Sequence, residues 1–313
     1  MLIKVGREIP LMGCIAFGVI DRGTNLLQVR PTSVCNLNCP FCSVDSGAFS
    51  TRHKVSYEVD VDYLLEEIDK IVDYKSGDIE INLDSVGEVL CYPKIEELIL
   101  GLRKINSIKK ISMQTNGLLY KKLDLDLVNF SIHALDDKLA KELAGVNCYS
   151  IDSALENLKK YLTDKIKVRL CPVWIPGVND LEIPKIILLA KELNCDLGIQ
   201  KYEIYSYSRQ IKGVKPLTWW KFYNQLEKWE KEFNIKLKLT ANDVEVKRMK
   251  RVEEVFKKGE KVKLRVVCKG WFDGQMIGVG RNRCVSIENC NKNFDDLVNI
   301  TILEAKNNIY LAK

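Results

Sequence analysis

Leu26-Leu27-Gln28-Val29-Arg30-Pro31-Thr32-Ser33-Val34-Cys35-Asn36-Leu37-Asn38-Cys39-Pro40-Phe41-Cys42 decides the reading of this chain. Its first five residues read as a β-strand, and its last eight set three cysteines in CxxxCxxC spacing. Iron–sulfur clusters are held by Cys thiolates, and close spacing lets one loop wrap a cluster corner. Three thiolates on four irons leave one iron open to a bidentate amino-carboxylate ligand, and an electron from the cluster could cleave a bound sulfonium. The competing readings are structural thiols and zinc. Zinc normally takes a fourth Cys or His, and the first candidate downstream is His53, eleven residues on.

Outward from that loop, strands and helices alternate. Before it, Cys14 to Ile20, a turn at Asp21-Arg22-Gly23 and Leu26 to Arg30 form a hairpin. After it, Val61, Leu64, Leu65, Ile68 and Ile71 recur at helical spacing within Asp60 to Asp73, and Asp78 to Leu83 alternates as a strand. The pattern predicts helices at Pro93 to Ile105, Asp137 to Leu143, Asp152 to Leu162, Leu181 to Leu193 and Thr218 to Phe233. It predicts strands at Lys109 to Met113, Leu127 to Ile132, Ile166 to Cys171, Asp196 to Gln200 and Ile235 to Leu239. Repeated units of this kind imply an α/β fold, a parallel sheet closed into a partial (β/α)6 barrel, with chemistry at the carboxyl ends of the strands.

The segment Pro31 to Cys42 resembles the signature of the radical S-adenosylmethionine (SAM) superfamily, over roughly Leu26 to Leu239. The resemblance implies a 4Fe–4S cluster on Cys35, Cys39 and Cys42, reductive cleavage of SAM to a 5′-deoxyadenosyl radical, and an electron donor such as ferredoxin or flavodoxin. Phe41 is then a wall for adenine. Asp84-Ser85-Val86-Gly87-Glu88 is similar to the family's GGE segment, with Val86 where the first Gly is usual. Gly87 permits close backbone approach and Glu88 meets the SAM ammonium. Gln114-Thr115-Asn116-Gly117 ends a strand, where Gln114 or Asn116 could bond ribose, although Asn-Gly is also simply a good turn. Ser131, His133, Arg169 and Val173 complete the expected SAM contacts, Arg169 by facing a carboxylate. Cys91, His133 and Cys171 are candidates for chemistry, weighed against ordinary burial.

Composition bounds the rest. A chain of 313 residues, 46% hydrophobic and 29% charged, reads as globular. It has no apolar run near the roughly 20 residues of a membrane helix and no secretory-type start, so the expected location is cytoplasmic, without a membrane partner. Its eleven cysteines suit a metal site rather than a disulfide scaffold. Charge is uneven: Val246 to Lys313 holds 15 Lys/Arg against 8 Asp/Glu, a net of +7, while the rest holds 33 against 34. Such a tail suits a polyanion, or else a solvated surface.

The expected segments are an N-terminal β extension (1–25), the barrel (26–240), a charged, partly helical linker (241–258) and a five-strand β-barrel (259–313). The last resembles the RNA-binding TRAM domain, through Gln275 to Ile287 and Lys306 to Ala312. Its expected substrate contacts are Trp271, Arg281 and Arg283, joined by Tyr205, Tyr207 and Arg209 after a strand end. Methylthiotransferases of similar layout carry a further three-cysteine domain, and only Cys14 precedes the triplet here, which disfavours methylthiolation. Cys268, Cys284 and Cys290 lack the tight pair of a second cluster. The leading expectation is a radical SAM enzyme modifying RNA, with tRNA foremost. The alternatives are an enzyme acting on a peptide or small cofactor precursor, and a non-catalytic Fe–S RNA-binding protein.

Overall fold

A computed structural model describes residues 1–313. The chain runs β1 (Leu2–Val5), β2 (Gly18–Asp21), β3 (Leu26–Arg30), β4 (Ser56–Val59), α1 (Val61–Lys75), β5 (Ile79–Leu83), α2 (Ile95–Arg103), β6 (Ile108–Thr115), β7 (Leu127–Phe130), α3 (Asp137–Ala144), α4 (Ile151–Thr163), β8 (Lys167–Leu170), β9 (Val173–Trp174), α5 (Glu182–Glu192), β10 (Asp196–Leu197), β11 (Gln200–Lys201) and α6 (Trp219–Phe233). Five strands follow: β12 (Lys261–Lys269), β13 (Met276–Gly280), β14 (Arg283–Ile287), β15 (Leu297–Lys306) and β16 (Ile309–Ala312).

The helices form where the sequence caps them. Asp60 accepts from the Tyr63 N–H at the start of α1, and Thr218 accepts from Lys221 at the start of α6. Helix α1 buries Leu64, Ile68, Ile71 and Val72. The main sheet has the order β10-β8-β7-β6-β5-β3-β2. From β3 to β10 neighbours follow chain order, the winding of a (β/α) barrel rather than of a doubly wound sheet, whose order reverses at a switch point. Hairpin partner β2 closes one edge antiparallel, Gly18 opposite Arg30. The last five strands form a closed barrel, β12-β13-β14-β16-β15, around Leu264, Val266, Val285, Ile302 and Tyr310. No helix is long and apolar enough to cross a membrane.

Contacts divide the molecule into two compact units: Met1–Cys35, Ser50–Ile111 and Val246–Lys313 in one, Asn36–Phe49 and Ser112–Glu245 in the other. The linear segments expected from sequence are thus interleaved, and the C-terminal barrel shares a unit with the N-terminal segment. Cys284 N–H donates to Met12 O at 2.8 Å, Tyr310 N–H to Gly13 O at 3.1 Å, and Tyr57 Oη to Lys269 O at 2.7 Å.

Three sequence expectations are corrected, and one strand pair was missed. Ile235 to Leu239 forms no strand, because the Glu230 carboxylate takes the Leu237 and Lys238 N–H groups at 2.7 and 2.8 Å. Residues 241–258 hold no helix; from Lys247 onward this segment lies against the hairpin, Lys247 N–H on Asn25 and Val252 N–H on Asp21, with the buried Lys75–Asp21 pair alongside. Asp196 to Gln200 splits into β10 and β11 opposite Pro172, which has no N–H to give. The pair β1·β4 was missed, since its strands are four residues long and about 54 positions apart.

Candidate functional site

Alternation in the sheet creates a polar row. In one unit Gln114, Asn129, Arg169 and Asp196 occupy paired register positions on β6, β7, β8 and β10. Each is partly exposed, whereas the residues before and after it on its strand (Met113, Val128, Phe130, Val168, Leu170, Leu197) are buried. In the other unit Gln28 lies opposite Asn82 in the same alternation on β3 and β5. The apolar positions face helices such as α4 on β8. A sheet face with one polar side chain per strand is built to meet a polar ligand.

The cysteine loop, Asn36–Phe49, is held by polar groups rather than by an apolar core. Asn38 N–H donates to Ala144 O at 2.9 Å, and Gly145, at φ +68°, closes α3 where a Cβ would stand 2.1 Å from Asn38 O. The Asn116 amide donates to Asn36 Oδ1 at 2.7 Å. Arg209 spreads its guanidinium over the loop, Nε to Asp45 Oδ1 and Nη1 to Asn38 Oδ1 at 2.5 Å each, Nη2 to Ser46 O, while its own N–H reaches Cys42 O at 2.8 Å. Ser208 Oγ adds a bond to Ser43 O at 3.0 Å. Asp45 is 1% exposed, so Arg209 neutralises a buried carboxylate. Arg209 is therefore a loop clamp, which corrects its expected place on substrate.

The residues before Cys35 are held with equal care in the first unit. Glu88 N–H donates to Val34 O at 2.8 Å, and a Cβ on Gly87 would stand 2.1 Å from that same oxygen. Gly87 is required here for close approach. The Glu88 carboxylate caps a short 3₁₀ turn through the Leu90 N–H at 3.1 Å.

Phe41 packs edge-on to His133, ring centroids 4.9 Å apart. Desolvation lowers the His133 pKa to about 4, so the ring is neutral. Its Nδ1 accepts from the Val173 N–H at 3.0 Å, which places the proton on Nε2 as a donor. Val173 thus acts through its backbone, positioning His133.

Thiol environments separate the cysteines. Cys35, Cys39 and Cys42 are partly exposed, and the Ser46 N–H donates to Cys42 Sγ at 3.4 Å. Cys14, Cys268 and Cys284 are buried, and desolvation raises the first two to about 11 and about 12 and the third well above the ordinary range. Desolvation likewise raises the Cys171 thiol to about 12, beside Asn129 and the Arg169 carbonyl. Cys91 ends the turn that Glu88 caps.

The donor set fits the cofactors the sequence implies. No three His, Cys, Asp or Glu side chains gather closely enough for a single metal ion. The loop thiols are partly exposed, as are Cys91 and Cys290, with Cys148 more so, but only the loop sets three reachable thiols within eight residues. In the first unit Ser85 Oγ, beside the Gly87-Glu88 segment, and in the second Arg169 Nε are buried polar atoms with no hydrogen-bond partner. Arg169 Nη2 is 3.5 Å from Asp196, a long contact that leaves the head available to a carboxylate.

A family model described as the radical SAM superfamily matches residues 29–190. The chain belongs to the radical SAM superfamily. It is an enzyme, and its cofactors are a 4Fe–4S cluster and SAM; the zinc and non-catalytic readings fall away. A protein of Methanocaldococcus jannaschii without an assigned activity is 37% identical over 99% of this chain and 80% of its own length. GTP 3′,8-cyclase of Clostridium botulinum is 32% identical over 55% of this chain and 54% of its own length, so the chain spans about half of that relative. Among solved structures, anSMEcpe with bound AdoMet covers 81% of this chain and 71% of its own at 18% identity and TM-score 0.55. Streptococcus suis SuiB bound to S-adenosylmethionine covers 71% and 48% at 19% and 0.52. These last two are likenesses of fold.

Two expected substrate contacts on the C-terminal barrel are corrected. Trp271 is 4% exposed and stacks on His53, centroids 3.8 Å apart, so it is no open platform. Arg283 is buried, bonding Asn308, Asn282 O and Glu253 O. Arg281 stays half-exposed, shared between Val255 O and Glu260. Ser85, Asn129 and Asp196 were missed, although a lone polar residue at alternate strand positions was the available signal for the last two.

Proposed function

We propose that this radical SAM enzyme modifies a nucleotide in RNA, with tRNA the foremost candidate and a TRAM-like barrel supplying the grip. One observation carries the reading. Strand β12 exposes Lys261, Lys263, Arg265 and Lys269 while burying Leu264, Val266 and Cys268. The first three cations stand about 6.6 Å apart along an extended strand, a row suited to successive phosphates rather than to one small anion.

Cys35, Cys39 and Cys42 would hold the cluster. Gly87, Glu88, Ser85, Arg169 and Phe41 would receive SAM, with Gln114, Asn116 and Ser131 in reach of its ribose. The bound pair supplies one-electron cleavage of the sulfonium and with it the means to abstract a hydrogen atom; ferredoxin or flavodoxin would supply the electron. The chain's own work is positional. Arg209 and Asn116 fix the loop, neutral His133 offers an Nε2–H beside Phe41, and the polar row orients substrate. Binding of tRNA should fall steeply with salt, and K261E/K263E/R265E should reduce the slope of log K against log salt by about 2 to 3. Salt-independent binding would contradict the proposal.

A second reading, a free nucleoside triphosphate as substrate, is supported by the likeness of the catalytic half to GTP 3′,8-cyclases and by Lys167 and Arg169 flanking Asp196 at the sheet edge. Digesting RNA after turnover, beside chromatography of added GTP, separates the two: a new nucleoside mass supports the first, consumption of GTP the second.

A further inference from the structure

From Ile204 to Leu226 the chain carries no Asp or Glu, in a protein with 42 acids among 313 residues, yet it holds Arg209, Lys212, Lys215 and Lys221. Arg209 is spent on the cysteine loop, while the three lysines are exposed. The same stretch exposes Tyr205 (58%), Tyr207 (38%), Trp219 (54%), Trp220 (72%) and Tyr223 (44%), five of the eight exposed aromatic side chains of the whole molecule. Trp219 and Tyr223, one helical turn apart on α6, stack at 5.6 Å and 24°, and Lys201 Nζ lies 4.8 Å from the Trp219 centroid. Beneath them Phe222, Leu226 and Trp229 form the buried face of α6. The exposed rings are therefore a second, outward aromatic face, not core residues left partly uncovered.

This face is mechanically continuous with the cysteine loop. Tyr205 N–H donates to Ser208 Oγ at 2.9 Å, Ser208 Oγ donates to Ser43 O, and Arg209 bonds Asp45, Asn38 and Ser46. One connection, Tyr202 to Thr218, thus presents tyrosines outward and grips the loop of Cys39 and Cys42 inward.

We infer that Tyr205, Tyr207, Trp219, Trp220 and Tyr223 form a stacking platform for unpaired bases of an RNA substrate, placed beside the cysteine loop and distinct from the cationic row on β12. Rings with interleaved lysines and no carboxylate match what single strands require: π-faces for bases and cations for phosphates. A surface for an apolar protein partner would not need to be cleared of acids over 23 residues. The inference rests on the RNA reading above, and it adds that the recognised part is single-stranded.

The test uses the full-length, cluster-reconstituted protein and a 12-nucleotide RNA with a central 2-aminopurine, single-stranded or annealed to its complement. The single strand should bind preferentially with quenched fluorescence. W219A/W220A, which removes two exposed rings without opening the core, should weaken that binding about 10- to 100-fold, at roughly tenfold or slightly less per base, with iron content and the melting transition unchanged. K261E/K263E/R265E should instead weaken single strand and duplex alike. If W219A/W220A binds the single strand as the parent does while the β12 variant binds weakly, the platform is wrong and the RNA reading stands. If the parent binds neither RNA, both fail. A parent that sediments as a dimer and becomes monomeric on W219A/W220A would give this face to a second copy and overturn the inference.

Discussion

The cysteine loop and the C-terminal barrel both carry cysteines, and they hold them by opposite means. On the barrel Cys268 and Cys284 are buried, Cys284 against the N-terminal segment with its Sγ donating to Pro10 O at 3.0 Å, and desolvation keeps both protonated. In the loop Cys39 and Cys42 stay partly exposed, on a backbone fixed by the Arg209 fork, Asn38 on Ala144 O, and the Ser46 N–H aimed at sulfur. A core fixes positions by excluding water and so silences a thiol. A polar clamp fixes positions and leaves the thiol available to iron.

The contrast can be broken most forcefully at the ligands. Replacing Cys35, Cys39 or Cys42 by Ala should abolish the bound iron and lower SAM cleavage at least about a thousandfold, the scale on which loss of an essential group registers. Cys268→Ala should keep its iron; iron assay and 5′-deoxyadenosine chromatography read both. Arg209→Ala removes the cation paired with the buried Asp45 carboxylate, at a cost of about 3–5 kcal/mol in chemical denaturation, and iron should be lost on dilution. Arg209→Lys should recover only part, since an ammonium cannot span Asp45, Asn38 and Ser46 together. In the barrel, Leu264→Ala should cost about 2–5 kcal/mol by cavity formation and leave iron content unchanged.

The smallest effect is a matter of sign. The His133 pKa is about 4 when folded, below the usual value near 6.5, so the unfolded chain binds the proton first as pH falls. The stability from this group is complete above about 6.5 and is lost between 6.5 and 4, with a slope of up to about 1.4 kcal/mol per pH unit. His133→Gln should flatten that acid limb in melts recorded across the window. An unchanged limb would remove the desolvated neutral ring from the account.

The sequence made most of this legible where a single local rule governs. Cysteine spacing marked the loop, alternation marked β5, and apolar residues at helical spacing marked α1. It was silent where the partner is distant in the chain. Arg209 lies 164 residues from Asp45 and 171 from Asn38, and nothing in its neighbourhood distinguishes a clamp from a surface cation. Trp271 and Arg283 erred for the same reason. An aromatic after a strand reads as exposed until His53, more than 200 positions away, stacks on it. Arg283 reads as a phosphate contact until Asn308 fills its fork.

The central claim, a radical SAM enzyme that acts on RNA, is tested most directly by following 5′-deoxyadenosine from reduced, reconstituted protein and SAM, with and without tRNA. The account predicts that tRNA accelerates its formation and that a nucleoside of altered mass appears in the digested RNA, both lost in Cys39→Ala. Formation indifferent to tRNA, with every nucleoside unchanged, would contradict it.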